Sequence, residues 1–120
     1  MDDDELRGIP KPGDVLAGRY EIEAVLGAGG MGVVLAARHT GLGQRVAVKF
    51  LLPDLAKRQP EAVPRFLREA RAAIHLKSEH VARVIDVGTE PDGAPYMVME
   101  YLEGRDFVRI AREQVSFGIS

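Results

Sequence analysis

Along this chain the spacing of apolar residues shifts from the period of two expected of strands to the period of about 3.6 expected of helices, and back again. Residues 1–14 are polar, carry Pro10, Pro12 and Gly13, and read as a flexible lead-in. From residue 19 the pattern alternates, with Tyr20, Ile22, Ala24 and Leu26 on one face, which predicts a strand over 19–26. A glycine-rich turn follows, then a second strand over 33–38, the turn Thr40-Gly41-Leu42-Gly43, and a third strand over 45–51. The first half is therefore an antiparallel meander. Pro53 and Pro60 bound a loop, and Pro64 suits the first turn of a helix, where its missing N–H is no loss. Phe66, Ala70, Ala73, Ile74 and the stem of Lys77 recur at helical spacing, with Arg68, Arg71 and Ala72 opposite, so an amphipathic helix runs to about residue 77. Strands are predicted over 82–87 and 96–101, joined by Pro91-Asp92-Gly93. Asp106 can cap a last short helix in which Phe107, Ile110 and Ala111 share a face. The expected class is α+β, a five-stranded antiparallel sheet with one packed helix. No internal repeat or low-complexity segment interrupts it.

Composition narrows the possible functions. The 120 residues make one domain or part of one, and 46% hydrophobic with 28% charged residues is ordinary for a globular chain. A net charge of -2 gives no basic field for nucleic acid. There are no cysteines, hence no disulfides and no thiolate metal sites. The longest purely apolar run, 33–37, is far short of the roughly 20 residues of a membrane span. The acidic N-terminus lacks the basic-then-apolar order of a signal peptide. The expected setting is cytoplasmic, with neither nucleic acid nor membrane as partner. His39, His75 and His80 share no ligand spacing.

The candidate chemistry lies in Gly27-Ala28-Gly29-Gly30-Met31-Gly32 and in the tetrad Val46-Ala47-Val48-Lys49 that follows. Gly27-x-Gly29-x-x-Gly32 also matches the dinucleotide-binding fingerprint, which requires a helix after the glycines and an acidic residue about 20 positions on. Here Val33-Val34-Leu35 starts a strand, Gly41 arrives too soon for a useful helix, and Lys49-Phe50-Leu51-Leu52 occupies the acidic position. No Gly-Lys pair exists, which removes the lysine-containing phosphate loop. A plain reading remains, a hairpin whose glycines make a bulge. Four glycines in six positions cost backbone entropy, which favours close approach of the backbone to a ligand. Backbone N–H groups in such a turn can donate to phosphate oxygens.

Taken in order, these features resemble the N-terminal lobe of a bacterial serine/threonine protein kinase. Gly27, Gly29, Gly32 and Val34 fit the kinase glycine loop, and Ala47 and Lys49 fit the lysine-bearing strand. Glu69 falls in the helix that follows, and Met97-Val98-Met99-Glu100-Tyr101-Leu102-Glu103-Gly104 is similar to the segment that becomes the interlobe hinge. The resemblance covers roughly residues 19–115 and implies ATP as ligand. The turn Gly27, Ala28, Gly29, Gly30, Met31, Gly32 would cover its phosphates. Lys49 would contact the α- and β-phosphates and pair with Glu69. Leu26, Val34 and Ala47 would roof the adenine, Met99 would guard the back of the pocket, and Glu100 and Leu102 would offer backbone groups, so that their side-chain identity matters little. Physical reasoning supports the pair, because a buried lysine needs an anionic partner and Glu69 borders the apolar face of its helix. Alternatives stay open. Lys49 can be an edge-strand solubility lysine, Glu69 a surface partner of Arg65, and the apolar residues, Met97 and Met99 included, ordinary core. Leu35 replaces the family's common tyrosine, and Ser78-Glu79-His80-Val81 replaces its usual His-Pro-Asn loop.

Other kinase parts are absent from the 120 residues. No histidine is followed by arginine, so the His-Arg-Asp loop is missing; Asp106-Phe107-Val108 lacks the glycine of Asp-Phe-Gly; Ala94-Pro95-Tyr96 is a turn, not Ala-Pro-Glu. The general base and the magnesium-binding side chains are thus not in this sequence. The expected organisation is a lead-in at 1–14, an ATP-binding lobe at 15–104, and a hinge-following helix with a truncated end at 105–120. No residue present is a catalytic base. Mg2+ is expected only with the missing catalytic lobe, which, with a protein substrate, is the expected partner. Phe107, Ile110 and Ala111 would pack on that lobe. The second functional reading is a non-catalytic interaction module on the same lobe fold.

Overall fold

The computed structural model describes residues 8–28, 32–74, 83–91 and 93–101. Its elements are β1 (Val15–Leu16), β2 (Tyr20–Ala28), β3 (Gly32–His39), β4 (Arg45–Leu51), α1 (Pro53–Arg58), α2 (Ala62–Ile74), β5 (Val84–Thr89) and β6 (Pro95–Glu100). They form one antiparallel sheet in the order β1-β2-β3-β4-β6-β5. The meander expected of the first half is present, and the last two strands join it through β6 beside β4. The expected terminal helix and the end of the hinge segment lie outside the described residues, as do residues 75–77 of the expected first helix.

Four expectations are corrected. The described sheet has six strands, not five, because Val15–Leu16 pairs with Tyr20 and Glu21. That hairpin closes through Ala17 and Gly18, both in the left-handed region at φ 54° and 68°, and two residues are too few to show a period. Secondly, the segment after Pro53 is helix α1 and not a loop: Pro53 sits at the helix start, where proline is favoured, and Leu55 is buried. The described residues therefore hold two helices. Thirdly, the end of the lead-in is anchored. Ile9 is buried, the Gly13 N–H donates to the Ile22 carbonyl at 2.9 Å, and the Ile22 N–H donates to the Asp14 carbonyl at 2.8 Å.

Lastly, Tyr20, Ile22, Ala24 and Leu26 do not share a face. The β2–β3 register slips between Ile22 and Ala24 and again between Val25 and Gly27. Each bulge inserts a residue and resets which side chains point inward. Tyr20 and Ile22 pack on one side of the sheet, Ala24 is exposed, and Leu26 packs on the other.

Strict alternation in β3 and β4 makes two cores. Val33, Leu35, Val46, Val48 and Phe50 meet Tyr20, Ile22 and Val98 on one face. Val34, Ala47, Leu51, Met97 and Met99 face the helices on the other. Strands buried on both faces read as continuous apolar runs, which is why β3 and β4 lack polar alternation. Helix α2 docks through Ala62, Phe66 and Ala70, a four-residue step that lays them along one stripe. Ile74, expected on that stripe, is exposed. The sheet curls far enough that Tyr20 Oη on β2 donates to Asp86 Oδ2 on β5 at 3.4 Å, with Arg19 Nη2 3.8 Å from the same oxygen.

Candidate functional site

Lys49 is the buried charged residue of the described structure, with only 2% of its surface exposed. Its position on β4 sets the surroundings: it pairs across the sheet with Val34 on β3 and with Met97 on β6. Strand periodicity puts Ala47 on the same face, and Ala47 pairs with Met99. One lysine therefore stands in a patch formed by Val34, Ala47, Met97 and Met99, each 1% exposed or less. The solubility reading of Lys49 as an edge-strand lysine does not hold, since β4 is interior and its side chain is buried.

An ammonium group in such a patch is disfavoured by lost hydration. Burial lowers the Lys49 pKa from 10.5 to about 8, while the negative charge of Glu69 pulls it back upward. Glu69 is half-buried on α2, beside Ala70, so the helix docking that buries Phe66 and Ala70 also brings this carboxylate within electrostatic reach of β4. Burial still outweighs the acid, so the net effect on the Lys49 ammonium is a lowered pKa.

The other expected site residues divide into three groups. Val34, Ala47 and Met99 are fully buried on the Lys49 face, with Leu26 partly buried against the same core. Gly27 and Ala28 end β2 opposite Val34 and Val33, and Gly32 begins β3. Gly29, Gly30, Met31 and Leu102 lie outside the described residues. Gly32 has a structural reason of its own: a Cβ there would stand 2.5 Å from the Phe50 carbonyl oxygen, so the close approach of β4 excludes any side chain.

The side chain of Glu100 has a role that the sequence did not reveal. The Glu100 N–H donates to the Arg83 carbonyl at 2.9 Å, and Glu100 Oε1 accepts from the Arg83 N–H at 3.2 Å. Both bonds tie the end of β6 to the residue before β5. With that N–H committed, the carbonyl is the backbone group by which Glu100 could meet a ligand. Only the topology, which brings residues 83 and 100 together, exposes this clamp. His39 is likewise occupied: its Nδ1 accepts from the N–H groups of Gly41 and Leu42 at 3.1 and 3.0 Å, and its ring meets Tyr20 edge-on. Among the described residues, no cluster of three or more His, Asp or Glu could hold a metal ion, and no helix is long and apolar enough to cross a membrane.

The described site is thus a buried lysine within the field of Glu69, set among apolar side chains and close to the glycine-bearing ends of β2 and β3. The Protein kinase domain family matches residues 20–119. The chain is 43% identical over 106 residues to the Probable serine/threonine-protein kinase PknB of Corynebacterium glutamicum, a match covering 86% of this chain and 16% of that protein. It is 40% identical over 98 residues to the Serine/threonine-protein kinase pkn3 of Myxococcus xanthus, covering 82% and 18%. Among solved structures, the M. tuberculosis PknI kinase domain superposes with a TM-score of 0.63 at 34% identity, over 79% of this chain and 37% of that one. The chain thus spans less than a fifth of the length of these two curated relatives.

Proposed function

The chain belongs to the protein kinase domain family, and from that premise we propose that it forms the ATP-binding N-terminal lobe of a serine/threonine protein kinase, which in the whole domain transfers the γ-phosphoryl group of ATP to protein serine or threonine. One observation carries this reading: a lysine 2% exposed on an interior strand, within the field of Glu69 and flanked by the apolar side chains of Val34, Ala47 and Met99.

Each group then has a physical task. The N–H groups of the turn from Gly27 to Gly32 cover the phosphates. The Lys49 ammonium neutralises the α- and β-phosphate oxygens, and Glu69 keeps that ammonium charged and aimed. Leu26, Val34 and Ala47 supply the apolar roof for adenine, Met99 closes the back, and the backbone at Glu100 and Leu102 meets the base edge. The side chains that hold magnesium in the family pattern are not among these 120 residues. Positioning and charge neutralisation are most of what phosphoryl transfer requires. On this reading the chain by itself binds nucleotide and does not turn it over.

Titration of ATP and of adenosine into the chain by calorimetry tests this. Lys49→Met is expected to weaken ATP by about tenfold or more, the loss of one charge-assisted hydrogen bond, and to leave adenosine unchanged. An interaction module that does not use nucleotide predicts instead no ATP binding, or ATP binding insensitive to Lys49.

A further inference from the structure

Helix α2 turns Ala62, Phe66 and Ala70 toward the sheet and leaves Arg65, Arg68 and Arg71 exposed on its outer face. A spacing of three sets these arginines on successive turns of one stripe. The last turn of α1 adds Lys57 and Arg58, both exposed. The exposed acids of residues 53–74 are Asp54 and Glu61, while the remaining acid, Glu69, is half-buried and acts on Lys49. None of the five cations forms an ion pair among the described residues; Arg58 Nε donates to the Asp54 carbonyl at 3.4 Å. The outer face of the two helices is therefore a positive surface on a chain whose net charge is -2.

The complementary charge stands close by in the sequence, where Asp2, Asp3, Asp4 and Glu5 follow one another. Gly8, the first described residue after them, lies against the start of α1: a Cβ on Gly8 would stand 3.1 Å from Pro53 Cγ. Ile9 is buried and the Gly13 N–H is bonded to Ile22, so this exit point is fixed to the sheet. An extended chain carries residue 2 up to about 20 Å from Gly8, whereas Arg58 stands only about 8 Å along the α1 axis from Pro53. The acidic run thus reaches the end of α1 with length to spare for α2. So short a tether keeps the carboxylates at an effective concentration on the order of millimolar, which lets several weak exposed pairs form together where a single one contributes little. We propose that Asp2-Asp3-Asp4-Glu5 docks on the cationic face of α1 and α2 as an intramolecular electrostatic clasp. The clasp gives the N-terminal segment a hold on the helix that carries Glu69, and any other acidic segment that seeks this face has to displace it. Nucleotide binding is not required for it.

Amide NMR of the whole chain tests this, at low salt and again at about 1 M, where the Debye length is about 3 Å. The chain has no cysteine, so Asp2→Cys offers a single position for a nitroxide label and keeps the other acids of the run. The clasp predicts that at low salt the label removes intensity from the amides of residues 57–58 and 65–71, and that high salt restores it. Arg65→Gln, Arg68→Gln and Arg71→Gln together restore it on α2 at low salt as well. In the unlabelled chain, Asp2→Asn, Asp3→Asn, Asp4→Asn and Glu5→Gln together shift the same amides and leave those of β3 and β4 in place; with the three arginines already replaced, they no longer shift α2. Intensity loss that is equal at both salts reports the tether alone and overturns the clasp, as does a loss that misses α2. If neutralising the acids moves no helix amide while an added Asp-Asp-Asp-Glu peptide does, the face takes an outside acidic segment and the clasp is likewise overturned. The salt series needs no arginine variant, so it decides the matter even where the triple replacement fails to fold.

Discussion

At Lys49, burial and charge act in opposite directions, and the sign of the outcome is measurable. Its folded pKa of about 8 lies below the value of 10.5 it has when unfolded. Below pH 8 both states are protonated and the folded state bears the full penalty of a buried cation. Between pH 8 and 10.5 the unfolded chain holds more protons, so stability contributed by this group rises with pH. The difference in unfolding free energy between wild type and Lys49→Met is therefore expected to shift in favour of wild type by about 3 kcal/mol across that window, as read from denaturant midpoints; a flat difference would contradict it. Gly32 gives a second residue-scale expectation. A methyl group at 2.5 Å from the Phe50 carbonyl must push backbone from backbone, so Gly32→Ala should destabilise by about 2–3 kcal/mol, the upper part of the overpacking range. Chemical denaturation checks this without any ligand. The sequence named both residues. What it attributed to ligand approach at Gly32 is at least equally a demand of the neighbouring strand, which no local pattern reveals.

Among the elements, α2 matters most to the site because it buries Phe66 and delivers Glu69 from the same turn. Phe66→Ala removes a ring that is 7% exposed in the helix-side core; the expected loss is about 3–5 kcal/mol, seen as a lower melting temperature. The strands β3, β4, β5 and β6 and the helix α2 were legible because each runs long enough for its apolar period to show. α1 was not: six residues beginning with proline look like a loop, and only packing of Leu55 against the helix-side core makes them a helix. β1 and the two bulges of β2 were illegible for a related reason. A two-residue strand has no period, and a bulge is visible only against the partner strand whose register it breaks. Of the candidate site, Lys49 and Glu69 could be found from sequence, whereas the clamp of Glu100 on Arg83 depends on a pairing 17 residues apart.

Across the whole molecule, the curled sheet brings two phenols and one carboxylate together at one end. Burial, followed by the charge of Asp86, raises the pKa of both Tyr20 and Tyr96 above 10.0. Groups that hold their protons more tightly when folded lose stability as the pH rises above their unfolded value, so the chain should weaken above pH 10, and Tyr20→Phe should flatten that decline in alkaline unfolding curves. The strand order has a further consequence, for synthesis on the ribosome. β4 is interior in the finished sheet, but its partner β6 is made after residues 52–94. At 5–20 residues per second, β4 waits roughly 2–9 s with one hydrogen-bonding edge open. It is apolar on both faces while it waits, and an open apolar edge is a template for pairing with another chain. The nascent protein is therefore most exposed to aggregation and to chaperone capture in the interval between the emergence of Leu51 and that of Pro95.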